Sequence, residues 1–276
     1  MASVETARLE PELEIICPAW YPEIGKLTEA VPLLADQGVT AIEIGVPSAE
    51  YFERRDPGKL GTLVEKLSLC GVRARSVHAP FGPDLDVSSL NDETHERGVE
   101  VLIDSIEFAG AVGARAVVVH PGDRLDGSRT RKRQLERAHG VLRELSTVAR
   151  ESGVVLAVEN LPPDYLGHTP EEILGLLDDT EPGSVSVCFD CGHANLSGRF
   201  IEFARALLPR SSVTHVHDND GTSDQHRLPG AGVIDWRSFA EVWLACRCSP
   251  AIVLECQSPA PLIWSEAFQV LRKALG

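Results

Sequence analysis

The chain has 276 residues, 43% of them hydrophobic, and 26 Lys and Arg against 41 Asp and Glu give a formal net charge of −15. That length and apolar share suit one α/β barrel with a sizeable core, and no apolar run reaches the roughly 18 residues of a membrane span. The acid excess argues against a large nucleic-acid partner, because duplex binders normally carry a basic footprint.

Residues 1–12 read as a loosely docked N-terminus. Beyond them, Val- and Ile-rich runs recur at 13–19, 41–46, 74–80, 116–122, 155–162, 185–193, 213–219 and 251–257. Each is bounded by Gly, Pro, Asn or Asp, the usual signature of a strand. Amphipathic stretches at 29–38, 57–71, 96–113 and 133–153 lie between them and end in Gly, a usual helix stop. Thr169-Pro170-Glu171-Glu172 opens another helix with an N-cap, a Pro at the first position and early acids. Eight strand–helix units predict a single (β/α)8 barrel over residues 1–276. The seven cysteines are odd in number and lack a disulfide-like spacing, and the N-terminus has no signal-peptide pattern. Both fit a reducing cytoplasm.

Alternate strand residues face opposite sides of a sheet. One alternating set contains Ala74, Ser76, His78; Ala116, Val118, His120; Val155, Ala157, Glu159; Ser186, Cys188, Asp190; Val213, His215, His217; and Ala251, Val253, Glu255. It is small in the middle and ends in His, Asp or Glu. The other set, including Val77, Val117, Leu156, Phe189, Val216 and Leu254, is bulky and apolar. The first set therefore faces the barrel interior, and its last members meet at the C-terminal mouth, where barrel enzymes place their sites. His193, Asp224 and His226 follow close behind those strand ends. Mixed His and carboxylate ligands suit Zn²⁺, Mn²⁺, Fe²⁺ or Co²⁺, and a shared cation relieves the mutual repulsion of so many carboxylates. Mg²⁺ also remains open as the ion.

The stretches FDCGH at 189–193, VENLP at 158–162, THVHDNDG at 214–221 and VLECQ at 253–257 resemble the xylose isomerase-like barrel superfamily. That group includes ketose 3-epimerases, inosose dehydratases and isomerases, hydroxypyruvate isomerases and endonuclease IV-type enzymes. The resemblance covers residues 13 to 275. It implies one metal ion on Glu159, Asp190, His217 and Glu255, with His193 beside it. Members similar to endonuclease IV hold three zinc ions, which would add His78, His120, Asp224 and His226. Of the two inward histidines on strand seven, His217 is nearer the mouth and matches the motif, so His215 is expected lower or behind it. A Gly-Glu-Gly run common in the family is here Gly230-Ala231-Gly232.

Other residues invite a role. Glu43 and Trp20 could contact a sugar, as could His78, and His168 could sit in a lid. Cys188 and Cys191 read as reduced thiols beside the site, Cys256 as facing the helices, and His95 and His139 as solvated. The basic run at 129–134 reads as a solvated helix start. Two chemistries fit the ligands. One is proton transfer through a metal-stabilised enediolate of a sugar, ketose or inosose, with Glu159, Glu255 and His193 catalytic, giving epimerisation, isomerisation or dehydration. The other is zinc-dependent phosphodiester hydrolysis. A non-catalytic metal-binding barrel is a third reading. One ion and a small-molecule substrate are expected, and a homo-oligomer is compatible with the chain.

Overall fold

Every apolar run forms a strand in the computed structural model, which describes residues 14–53, 57–125, 129–246, 250–256 and 264–275. The expected loose N-terminus at 1–12 lies outside the described residues. The strands are β1 (Ile15–Trp20), β2 (Ala41–Gly45), β3 (Arg73–His78), β4 (Ala116–Val119), β5 (Val155–Glu159), β6 (Val185–Asp190), β7 (Ser211–Val216) and β8 (Ala251–Leu254). They pair in parallel in chain order and close as β1 against β8, which is the (β/α)8 barrel. The helices are α1 (Ile24–Asp36), α2 (Glu50–Glu53), α3 (Pro57–Leu69), α4 (Asp92–Val112), α5 (Arg131–Glu151), α6 (Pro170–Gly175), α7 (Cys191–Leu196), α8 (Phe200–Leu207), α9 (Trp236–Cys246) and α10 (Trp264–Leu275). Among the described residues no helix is long and apolar enough to cross a membrane.

Local chemistry sets the helix ends. The Asn91 side chain accepts from Thr94 N at the start of α4, and Gly113 closes that helix at φ 75°, a conformation that costs glycine little. Thr169 caps α6 in the same way, with Pro170 in its first turn.

The two alternating sets separate as their sizes demand. Ile16, Ala41, Ala116, Val118, Ala157, Cys188, Val213 and Val253 pack together inside the barrel. Val77, Val117, Leu156, Phe189, Val216 and Leu254 join the larger core between strands and helices. The parity expectation fails at Ala74, which lies in that outer core. The reason is a bulge: Ile42 pairs with Ala74 but Glu43 pairs with Ser76, so Arg75 is the extra residue and the side-chain alternation resets there. A second bulge lies between β6 and β7, where Val187 pairs with Ser211 but Cys188 pairs with Val213. Ser212 is the extra residue there, and beyond it His215 lies level with Asp190.

Candidate metal centre

His78, Glu159 and Asp190 are the last residues of their strands, and His120, His217 and Glu255 lie within one residue of theirs. The strand ends deliver them to one place. The loop after β7 returns Asp224 and His226 to the same mouth. Ligand atoms within 4.8 Å of one another form the groups His78–His120–Glu159, Asp190–His193–His217, His217–Asp224–His226 and Glu159–Asp190–His215–Glu255. All nine expected ligand positions are thus brought together.

One placement differs from the expectation. The quartet with Glu159, Asp190 and Glu255 contains His215, not His217. His215 Nδ1 lies 3.0 Å from Glu159 Oε1, 3.2 Å from Glu255 Oε2 and 3.8 Å from Asp190 Oδ2. Register is the reason: Asp190 pairs with His215, so His217, two residues on, stands one inward layer nearer the mouth. There His217 Nε2 contacts Asp190 Oδ2 at 3.1 Å, and its ring stacks on His226 with centroids 4.0 Å apart.

The geometry fits a bound cation. His78 Nδ1 meets the Ala79 carbonyl at 2.8 Å, His193 Nδ1 meets that of Asn160 at 3.0 Å, and His226 Nδ1 meets that of Glu255 at 2.8 Å. A carbonyl only accepts, so each Nδ1 donates and each neutral ring keeps its Nε2 lone pair. Those Nε2 atoms face carboxylate oxygens: His78 with Glu159 Oε2 at 3.3 Å, and His193 and His226 with Asp224 Oδ2 at 3.3 and 3.0 Å. With neutral rings acceptor then faces acceptor, which a cation, or in its place a proton on Nε2, resolves, and backbone anchoring of the far nitrogen is the usual support of a metal-binding histidine. Glu159 Oε2 is buried without an aligned hydrogen-bond partner, although His120 Nε2 also lies 3.1 Å away.

Sequence reasoning passed over Asn160. Its side chain bonds both the N–H and the carbonyl of Asp190 at 2.9 and 3.0 Å, and so fixes the strand end that bears the ligand. The adjoining Glu159 in VENLP was the available signal.

A cavity of about 360 Å³ opens beside these groups, within the usual range for small-molecule sites. His120, Glu159, His193, Asp224, His226 and Glu255 form one side, and Phe81, Leu85, Leu102, Leu161 and Pro162 supply apolar wall. Asp86 and Asp123 add two further carboxylates to the lining. None of the suggested substrate contacts Glu43, Trp20 and His78 lines this cavity. Glu43 is buried beneath His215 and does not line the cavity. Trp20 covers His78, with ring centroids 5.2 Å apart, while Phe81 takes the wall position against His120. His168 bonds Arg131 at 2.6 Å, and Arg131 pairs with Glu172, so both hold the loop after β5 to α5. His95 and His139 are not merely solvated, since each bonds a backbone carbonyl. Cys188 and Cys191 are buried free thiols, and Cys256 packs in the outer core.

The sequence model of the xylose isomerase-like TIM barrel family matches residues 31–274. The chain belongs to that family. An uncharacterized protein of Methanocaldococcus jannaschii is 32% identical over 221 residues, 78% of this chain and 74% of that one. A probable endonuclease 4 of Geobacillus kaustophilus is 31% identical over 187 residues, and the match spans 61% of this chain and 60% of the relative's length. Among solved structures, a D-tagatose 3-epimerase-like protein superposes at TM-score 0.81 with 27% identity, covering 94% of this chain and 97% of that one. A D-psicose 3-epimerase superposes at 0.75 with 15% identity, covering 94% and 96%, a likeness of fold.

In this member of the family the loop after β7 is built round a buried carboxylate. Asp218 accepts from Asn219 N, Gly230 N, Ile234 N and Trp236 Nε1 at 2.9–3.2 Å. Its backbone also pairs with Arg227 in both directions at 2.8 Å. This frame carries Asp224 and His226, the latter at φ 46°, a left-handed conformation that Asn, Asp and His tolerate better than most residues. Ala231 is exposed, so the missing acid of the family run does not disturb the frame.

The ligand histidines and carboxylates also govern each other's protonation. Burial opposes charge on His193, but Asp190, Asp224 and Glu159 outweigh it and raise its pKa from 6.5 to about 10. His226 rises to about 9 against the same burial, through Asp224 and Glu255. Glu255 falls to about 2, with His215 overcoming the cost of burial. For protein stripped of metal the signs follow. Raised histidines stabilise the fold below their ordinary 6.5 and lose that effect as pH climbs through 9 to 10. The lowered Glu255 stabilises above its ordinary 4.5 and loses that effect toward pH 2. Melting temperature in chelator should therefore be highest between these limits and fall on both sides. A melting temperature still rising from pH 7 to 10 would contradict this electrostatic account.

Proposed function

We propose that the protein is a divalent-metal-dependent epimerase or isomerase of a sugar, ketose or inosose. The observation that carries this is the placement of Glu159 and Glu255. They come from β5 and β8, share one group of ligand atoms and both line the cavity. A substrate carbon held between them meets one carboxylate that takes its proton and another that returns it. Return to the opposite face inverts the centre, and return to the neighbouring carbon moves the carbonyl. An ion on Glu159, Asp190, His215 and Glu255 would supply the Lewis acidity that makes such a carbon acidic and stabilises the enediolate.

The remaining residues suit a small neutral substrate. His193 borders the cavity and orients oxygens there. Phe81, Leu161 and Pro162 give that side an apolar surface. Asp86 and Asp123 offer acceptors to hydroxyls, and Asp123 Oδ2 is buried without a partner of its own. The similarity to a D-tagatose 3-epimerase-like protein over 94% of this chain supports the same reading.

The test is solvent proton exchange. Protein purified without added metal is assayed for bound ions, loaded with Mn²⁺ or Co²⁺, and incubated in ²H₂O with D-tagatose, D-psicose and L-ribulose. Deuterium should enter at the carbon beside the carbonyl. The second reading, phosphodiester hydrolysis, draws on the His78–His120–Glu159 and His217–Asp224–His226 groups and on the relatives named probable endonuclease 4. Several zinc ions per chain, no exchange with any ketose and cleavage of abasic DNA would favour it.

A further inference from the structure

His215 differs from the other histidines anchored at this site. His78, His193 and His226 each give their Nδ1 proton to a backbone carbonyl. His215 has no such carbonyl. Its Nδ1 faces the quartet, and its Nε2 lies 3.1 Å from Glu43 Oε1, a close contact in which neither buried atom has an aligned hydrogen bond. The other oxygen of Glu43 accepts from Ser76 Oγ at 2.6 Å. Ser76 and His215 are 0% exposed and Glu43 is 1% exposed, so water cannot replace any link in this chain. The barrel register places the links together. Glu43 pairs with Ser76 across β2 and β3, and Gly45 pairs with His78 one inward layer nearer the mouth.

We propose that Glu43 is a positioning residue for the metal centre, acting through His215, with Ser76 fixing its orientation. The inference rests on the metal-holding reading of the quartet. An imidazole binds a cation through the nitrogen that carries no proton. For Nδ1 of His215 to serve, the proton must sit on Nε2, and Glu43 Oε1, 3.1 Å away, is the carboxylate oxygen that a small turn of the ring would bring into line with it. A carboxylate in that position fixes the tautomer, holds the ring plane and makes the ring more basic than a carbonyl would. Substrate contact does not account for Glu43, since the His215 ring lies between it and the quartet.

The experiment is a Co²⁺ titration of the full chain, followed by the visible absorption of the bound ion. In Glu43→Gln the amide keeps the shape, but its NH₂ can face Nε2 and drive the proton to Nδ1. The Co²⁺ dissociation constant should rise about 10–100-fold, the range seen when outer partners of metal ligands are removed, with an altered absorption band. Ser76→Ala, a smaller change that preserves folding if Glu43→Gln does not, should weaken binding in the same direction by less. A merely structural role would lower the melting temperature of the chelated protein and leave the affinity and spectrum of the folded fraction unchanged. Wild-type affinity in both variants would overturn the positioning role while leaving the metal site in place. Wild-type protein that binds no Co²⁺ would overturn the site reading and this inference with it.

Discussion

Glu159→Gln should abolish strong metal binding and reduce ketose proton exchange by about 10²–10⁴-fold, the usual contribution of a positioned acid or base. This carboxylate joins two ligand groups. Its Oε2 faces His78 and His120 at 3.3 and 3.1 Å, and its Oε1 faces His215 at 3.0 Å. The histidines hold its pKa well below the ordinary range despite complete burial, so it is charged at neutral pH. An amide of equal size removes that charge and turns an NH₂ toward nitrogens that must keep their lone pairs. Metal content and deuterium uptake on folded protein check the expectation. Full metal content with lost exchange would restrict Glu159 to the proton step. Unchanged exchange would remove it from the mechanism.

Much of this centre is legible in the sequence because strand periodicity is simple. Small inward residues, bulky outward residues and a terminal His, Asp or Glu on six successive strands already imply a barrel with ligands at one mouth. The failures lie in strand register. Counting by twos assumes an unbroken ladder, and two bulges break it. The one at Arg75 turns Ala74 outward; on β7 both histidines keep inward parity, and the pairing of Asp190 with His215 decides which joins the quartet. A bulge leaves little trace in composition: Ser211 and Ser212 are ordinary strand residues, and no glycine marks the extra position.

Contacts between distant segments were harder to read than parity. Asn160, Asp218 and Glu43 are separated in sequence from the groups they hold, by 30 residues for Asn160 to Asp190 and by 18 for Asp218 to Trp236. A lone Glu on an inward strand position reads equally well as a substrate contact or as a support. Only the height of His215 above it decides, and that height depends on the register of β7. Asp218 lies beside two histidines in a run of polar residues, where its burial is invisible until the loop folds back over it.

Gly232→Ala should detach the Asp224 and His226 arm while leaving the strand-borne quartet in place. A Cβ on Gly232 would stand 2.2 Å from both the Asn219 carbonyl oxygen and Asp218 Oδ1. The first is backbone, and the second belongs to a side chain held by four donors, so neither can yield cheaply. Moving the 230–234 segment strips Asp218 of its bonds from Gly230 N and Ile234 N and leaves a buried carboxylate short of partners. Such a loss costs roughly 2–3 kcal/mol, since a buried acceptor without its donor keeps its desolvation penalty. The melting temperature should fall by several degrees, and hydrogen exchange should rise across 219–233. Glu159, Asp190 and His215 sit on strands and Glu255 directly follows one, so Co²⁺ should still bind there with near wild-type affinity. Binding that depends on Asp224 and His226 should be lost. Ala231→Gly, at the exposed neighbouring position, is the control and should change little. Equal loss of both halves in Gly232→Ala, with the fold intact, would show that the loop and the strand ligands form one inseparable site.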